Sequence, residues 1–201
     1  MANDPKLQLA THAGKYNTRN DFVKDLCPGK VCAELGVANG SFSAVILATK
    51  PVQLHLIDPW VEQPKVIYPG DDANRPNNEQ DAAYQNVMRY LGKQPDVTVK
   101  RAYSFDAAQD YPDNFFDFIF EDAIHTMPMC LATCARWWSK LKPGGWMCFH
   151  DYNLGAMGIP GTDNYCPELS VSAALKHFLF LLRRDKLDLV TVQQDSCGIQ
   201  K

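Results

Sequence analysis

The run ELGVANGSFS, residues 34–43, decides the fold. It joins a short apolar segment, KVCAEL at 30–35, to a stretch with helical spacing, SFSAVILAT at 41–49. Gly36 permits a tight turn at the join, and Gly40 lets the backbone approach a ligand where a helix N-terminus begins. A pyrophosphate-binding fingerprint would read G-x-G-x-x-G here, but position 38 is Ala, so the middle glycine is missing. The spacing is instead E-x-G-x-x-x-G. An acid at the strand end suits a ligand with hydroxyls or a cationic amino group better than one with phosphates.

The same alternation continues along the chain. VQLHLI at 52–57 reads as a second strand and ends at Asp58. Residues 79–91 carry Tyr84, Val87, Met88 and Leu91 on one helical stripe, with Asn78 as the expected N-cap and Gly92 as the stop. A strand is expected over 97–102, followed by a short helix. FFDFIF at 115–120 is nearly continuous in its hydrophobicity, which suits a strand covered on both faces. Thr126 and Pro128 open a helix expected to run to Leu141. The 142–145 run Lys-Pro-Gly-Gly would end it, before a strand at 146–149. A last helix is expected from Pro167 to about Arg184, then a terminal hairpin of 187–194 and 197–200. Strands alternating with helices predict a single doubly wound, Rossmann-like α/β domain over 1–201, with a mostly parallel seven-stranded sheet and a C-terminal antiparallel hairpin. Residues 1–20 read as a cap or a tail.

Composition bounds the partners. The chain has 201 residues, 46% hydrophobic, with 20 Lys+Arg against 23 Asp+Glu and a formal net charge of -3. That is too apolar for a disordered chain and lacks the basic excess of a nucleic-acid binder. No apolar run approaches the roughly 18 residues of a membrane span, and the first twenty residues lack an apolar signal core. The seven cysteines form no C-x-x-C pair, which disfavours zinc-knuckle and thioredoxin readings and suggests buried reduced thiols. The expectation is a cytoplasmic protein with a small-molecule partner and neither nucleic acid nor membrane. Assembly with a second copy stays open.

Ligands of such sheets bind beyond the carboxyl ends of the strands, and those ends carry the chemistry. Asp58 stands where a carboxylate can accept from both hydroxyls of a ribose. Ala102, Tyr103 and Ser104 supply aromatic and hydroxyl groups where an adenine would lie. The fourth strand ends in Glu121, Asp122 and His125, and the fifth in His150 and Asp151. Adjacent parallel strands would bring these acids and imidazoles together, able to hold a hard divalent cation with histidine as base or extra ligand. Two long segments, 59–77 and 151–166, follow strands and are expected to shape the same pocket.

The motifs ELGVANGSFS, LHLIDPW, DFIFEDAIH and LKPGGWMCFHDY, in this order, resemble the class I S-adenosylmethionine-dependent methyltransferases over about residues 28–155. The closer likeness is to the small-molecule O-methyltransferase branch that includes macrolide-sugar O-methyltransferases. The resemblance implies transfer of a methyl group from S-adenosylmethionine to a small molecule, most naturally to a hydroxyl oxygen. It implies that Glu34, Gly36 and Gly40 contact the methionine part of the cofactor, Asp58 the ribose, and Ala102, Tyr103 and Ser104 the adenine. Ser41 and Glu121 count among the cofactor contacts as well. Asp122 and His125 match an Asp-x-x-His element whose Asp binds a metal and whose His is the base. Asp122, Asp151 and His150 are then the candidate ligands for Mg²⁺ or another divalent ion, and His125, Asp122 and His150 the catalytic candidates. The chain departs from the family at His150, where a second acid is usual, and at Thr126-Met127-Pro128, where a tyrosine is. Two other readings are a nicotinamide-dependent oxidoreductase on a similar sheet, disfavoured by the absent G-x-G-x-x-G, and a non-catalytic cofactor-binding subunit.

Overall fold

The computed structural model describes residues 10–11, 16–65, 73–152, 171–182, 188–192 and 196–201. Eight strands make one sheet: β1 (Ala10–Thr11), β2 (Val31–Leu35), β3 (Gln53–Asp58), β4 (Val97–Arg101), β5 (Phe116–Glu121), β6 (Leu141–Phe149), β7 (Asp188–Val192) and β8 (Ser196–Gln200). Their order is β1-β7-β8-β6-β5-β2-β3-β4. The helices are α1 (Arg19–Leu26), α2 (Ser41–Ala48), α3 (Asn77–Tyr90), α4 (Ser104–Ala107), α5 (Met127–Trp137) and α6 (Val171–Leu181), with a 3₁₀ turn at Ala108–Asp110. All pairings from β4 to β6 are parallel, and β8 runs antiparallel to both β6 and β7.

Among the described residues the sheet has eight strands rather than the expected seven, because Ala10–Thr11 pairs with Asp188–Leu189 at its far edge. The terminal hairpin is present, but its second strand is inserted between β6 and β7. Two helix boundaries also differ. The N-cap of α3 is Pro76 rather than Asn78, and α5 stops at Trp137. Leu141 already pairs with Phe116, and the register then shifts so that Trp146 pairs with Phe118. The Lys-Pro-Gly-Gly run at 142–145 is thus taken up as an irregularity inside β6, with Gly144 at φ +79°. The start of the last helix at Pro167, Cys166, and most of the segments 1–20 and 151–166 lie outside the described residues, as do 66–72 of the 59–77 segment.

Helices cover both faces. Phe22 and Val23 of α1, Ile46 of α2 and Val87 of α3 bury one face around Leu54, Leu56, Phe118 and Phe120. Trp137 of α5 and Phe178 and Leu179 of α6 bury the other around Leu35, Ile119, Met147 and Phe149. The continuous burial of Phe118, Ile119 and Phe120 follows, since β5 is central and has a hydrophobic layer on each side. Six cysteines among the described residues are free and buried. No helix among them is long and apolar enough to cross a membrane.

Strand order reverses between β2 and β5. Beyond that reversal the ladder continues for one residue per strand: Gly36 N donates to Ile57 O at 2.9 Å, and Asp122 N to Leu35 O at 2.7 Å. Gly36 sits at φ +89°, and a Cβ on it would lie 2.0 Å from the carbonyl oxygen of Asp122. Gly36→Ala is therefore expected to cost about 2–4 kcal/mol, from the left-handed backbone plus forced separation of two strand ends. Gly29→Ala, also at positive φ but with open space around it, should cost about 1 kcal/mol. Urea unfolding of both variants measures the difference.

His55 on β3 is 8% exposed, ringed edge-on by Tyr111, Phe115 and Phe116. Burial lowers its pKa to about 4. The folded value lies below the unfolded one near 6.5, so this residue's contribution is complete above pH 6.5 and is lost as pH falls toward 4. The expected loss across that window is about 3 kcal/mol, and His55→Phe should flatten it in stability measurements at pH 7 and pH 4.5.

Candidate active site

A cleft opens at the carboxyl ends of β2 to β5. Gly36 and Ala38 form its floor, Asp58 and Pro59 one wall, Tyr103, Ser104 and Phe105 the next, and Asp122, Ala123 and Ile124 the last. Met129 and Thr133 of α5 close the inner end. Val61, Gln63 and Asn74 come from the segment after β3, so the described part of that segment lines the pocket, and Gln80 joins them from α3. Gln63 N donates to Asn74 Oδ1 at 2.7 Å and Asn74 Nδ2 to Gln63 O at 3.0 Å, which ties the two ends of this wall together.

Asp58 organises the floor. Its Oδ2 accepts from Val37 N at 2.8 Å and Ala38 N at 2.9 Å, and its Oδ1 from Trp60 N at 2.6 Å. Ala38 and Trp60 both have positive φ, +49° and +43°, and Trp60 Nε1 donates to Ala38 O at 2.8 Å. One carboxylate thus holds two strained residues in place. Burial pushes the Asp58 carboxyl upward, and the three amides and Arg101 oppose it. Arg101 itself donates to Trp60 O at 2.8 Å and to Asp81 at 2.6 Å.

Of the residues expected to contact a cofactor, Gly36, Asp58, Tyr103 and Ser104 line the cleft. The others are placed differently. Glu34 is 1% exposed and turned into the base of α2, where it accepts from the Ser43 hydroxyl; burial holds its carboxyl protonated well above the usual range. Gly40, at φ +80°, caps α2 and faces Leu91 and Val87 of the α3 end. Ser41 is exposed, its N–H taken by Asn39 Oδ1 at 3.0 Å. Ala102 packs against the core. Glu121 is fully buried: Oε2 accepts from the Cys130 thiol at 3.6 Å, Oε1 has no partner, and burial pushes the carboxyl to about 7.

The acids and imidazoles after β5 and β6 do converge. Asp122 Oδ1 lies 2.9 Å from His150 Nδ1 and 3.2 Å from His125 Nε2. Asp151 reaches back at φ +53°, placing its carboxylate oxygens 3.0 Å from His125 Nδ1 and 3.3 Å from His150 Nδ1. Burial pushes Asp122 up, but the two imidazoles outweigh it and bring the carboxyl to about 2. For His125 burial acts downward, while Asp122 and Asp151 hold the imidazolium well above its ordinary range.

His125 is 3% exposed, with Nε2 facing Asp122 and Nδ1 facing Asp151. Two imidazoles beside two carboxylates are a donor set that fits a divalent cation. Ligand atoms of Asp122, His125 and His150 lie within 4.8 Å of one another.

Arg19, at the start of α1, was not anticipated. Its Nη1 stands 3.3 Å from Asp122 Oδ2, and its guanidinium lies 4.6 Å from the Phe42 ring centroid. The signal was present in Thr18 and Asp21, whose capping box starts the helix that presents Arg19.

Asp58→Ala is expected to lower stability by about 2–4 kcal/mol, since three amides lose a charged acceptor. Thermal melting checks this, and an unchanged melting temperature would detach the turn from this carboxylate.

No curated protein matches the sequence. Solved structures do match the fold. The O-methyltransferase NovP superposes over 91% of this chain and 79% of its own, with TM-score 0.64 and 17% identity. A Staphylococcus aureus protein provisionally assigned as a caffeoyl-CoA O-methyltransferase covers 91% and 83%, with TM-score 0.61 and 15% identity. A SAM-dependent methyltransferase from Aquifex aeolicus covers 91% and 88%, with TM-score 0.54 and 15% identity. The sequence model of the methyltransferase-domain family matches residues 33–152, more than half of the chain and the whole span from the Gly36 turn to the His150-Asp151 end. The chain belongs to the methyltransferase-domain family and is a methyltransferase that uses S-adenosylmethionine.

Proposed function

We propose that this enzyme transfers the methyl group to a hydroxyl oxygen of a small-molecule acceptor, within one domain over 1–201. The observation that carries this reading is the Asp122–His125–His150–Asp151 cluster, because Asp122 belongs to both the cleft wall and the cluster. A sulfonium methyl leaves by in-line displacement, so the first requirement is alignment with water excluded. Asp58 at the ribose and Tyr103 and Ser104 at the adenine would place the sulfonium near Gly36 and Asp122.

A hydroxyl acceptor must also lose its proton, and His125 is the proposed base. Asp122 and Asp151 orient its ring from either side. As those carboxylates favour the imidazolium, His125 accepts a proton only where positive charge nearby discharges it. Asp122, Asp151 and His150, with His125 beside them, would hold a divalent ion, which when bound would lower the pKa of a coordinated hydroxyl. Imidazole donors widen the choice from Mg²⁺ to transition ions such as Mn²⁺.

Turnover of labelled S-adenosylmethionine against a panel of hydroxylated acceptors tests the activity, and methylation confined to nitrogen or carbon acceptors would overturn it. His125→Ala should lower kcat by about two to four orders of magnitude with little change in cofactor affinity. Equal and mild effects of His125→Ala and His150→Ala would leave alignment alone carrying the reaction.

The metal is tested separately. Chelator should reduce turnover and Mg²⁺ or Mn²⁺ restore it, with the melting temperature unchanged. Because the ion would compete with protons for its carboxylate and imidazole ligands, its affinity should rise with pH, seen by titrating Mn²⁺ at pH 6 and pH 8. Full activity in chelator, with Asp122→Asn also active, would remove the ion from the mechanism.

A further inference from the structure

No lysine or arginine lines the cleft among the described residues. That is a problem of charge for a ligand whose amino-acid end is a zwitterion. With ribose at Asp58 and adenine at Tyr103 and Ser104, as proposed above, the amino-acid end would extend past Gly36 toward Asp122. An ammonium group finds the Asp122 carboxylate there, whereas a ligand carboxylate meets that same negative charge. Among the described residues, Arg19 is the guanidinium that stands at this end. It pairs with Asp122 Oδ2 at 3.3 Å, and its charge also acts on Glu34 and His150. Asp122 turns its other oxygen to the two histidines, so the Arg19 contact and the cluster use different atoms.

A side-chain ion pair of this kind is the complement of a zwitterion: the guanidinium matches the carboxylate and the carboxylate matches the ammonium. The pair is also partly open, with side chains 32% and 18% exposed. The guanidinium also lies over the Phe42 ring, in the first turn of α2, which holds it beside the Gly36–Gly40 turn.

We propose that Arg19 binds the carboxylate of the methionine part of S-adenosylmethionine, exchanging its contact with Asp122 for the ligand as the ligand's ammonium takes its place. This rests on reading the cleft as the cofactor site. Helix α1, which precedes the first strand of the matched region, would thereby complete that site.

Calorimetry with S-adenosylhomocysteine and 5′-methylthioadenosine separates the possibilities, because the second lacks the amino-acid end. The native enzyme should prefer S-adenosylhomocysteine. Arg19→Met should weaken S-adenosylhomocysteine about ten- to a hundredfold, the range for one charged hydrogen-bond pair, and leave 5′-methylthioadenosine unchanged. Arg19→Lys should recover part of the loss. Circular dichroism melting of both variants shows whether α1 remains folded. Unchanged S-adenosylhomocysteine affinity in Arg19→Met, or equal weakening of both nucleosides, would overturn the assignment. Failure of the native enzyme to bind either nucleoside would instead overturn the placement of the cofactor in this cleft.

Discussion

The site depends on how closely the ends of β2 and β5 approach each other. Residue 36 leaves its strand with its amide bonded to Ile57 O, and Asp122 leaves the neighbouring strand with its amide bonded to Leu35 O. Between them is only the hydrogen of a glycine, since a methyl group would sit 2.0 Å from the Asp122 carbonyl. This approach sets the Asp122 carboxylate beside the floor of the cleft. It also aligns the next strand, as His150 N donates to Glu121 O at 3.0 Å and carries His150 and Asp151 to the same level. Asp122 and His150 are therefore fixed by bonds of their own amides, and Asp151 follows one residue later.

Five carboxylates gather at this end of the sheet, and burying that much charge would be prohibitive if all were treated alike. Each is relieved in its own way. Glu34 is deeply buried, which pushes its carboxyl well above the usual range, and it accepts a hydrogen bond from Ser43. Glu121, also buried, titrates near 7. Asp58 stays at the cleft surface and collects three amide donors. Asp122 is driven to about 2 by two imidazoles, with Arg19 on its other oxygen. Asp151 faces the same imidazoles from the opposite side. Asp122, which lines the cleft, thus carries the negative charge that two imidazoles and Arg19 balance.

Much of this was legible in the chain itself. Hydrophobic alternation and glycine punctuation located β2, β3, β5 and the helices α2, α3 and α5, because strand and helix periods are local properties of ten or so residues. The identity of the clustered groups was legible too, since acids and histidines directly after apolar strands of a parallel sheet must meet at one end. The sequence by itself therefore determined the α/β class, the glycine turn and the set of acids and imidazoles.

Direction and partnership were decided only by the tertiary structure. A residue's position at a strand end does not say whether it points into the cleft or under it, which is why Glu34 and Ala102 are turned to the interior while Asp58 and Tyr103 line the cleft. Pairing across the sheet absorbed a Pro-Gly-Gly run that locally reads as a loop into β6, and inserted β8 between two strands that precede it. The contact of Arg19 with Asp122 joins residues 103 positions apart. No local pattern encodes it, because the charge that makes Arg19 useful belongs to strand ends assembled far away in sequence.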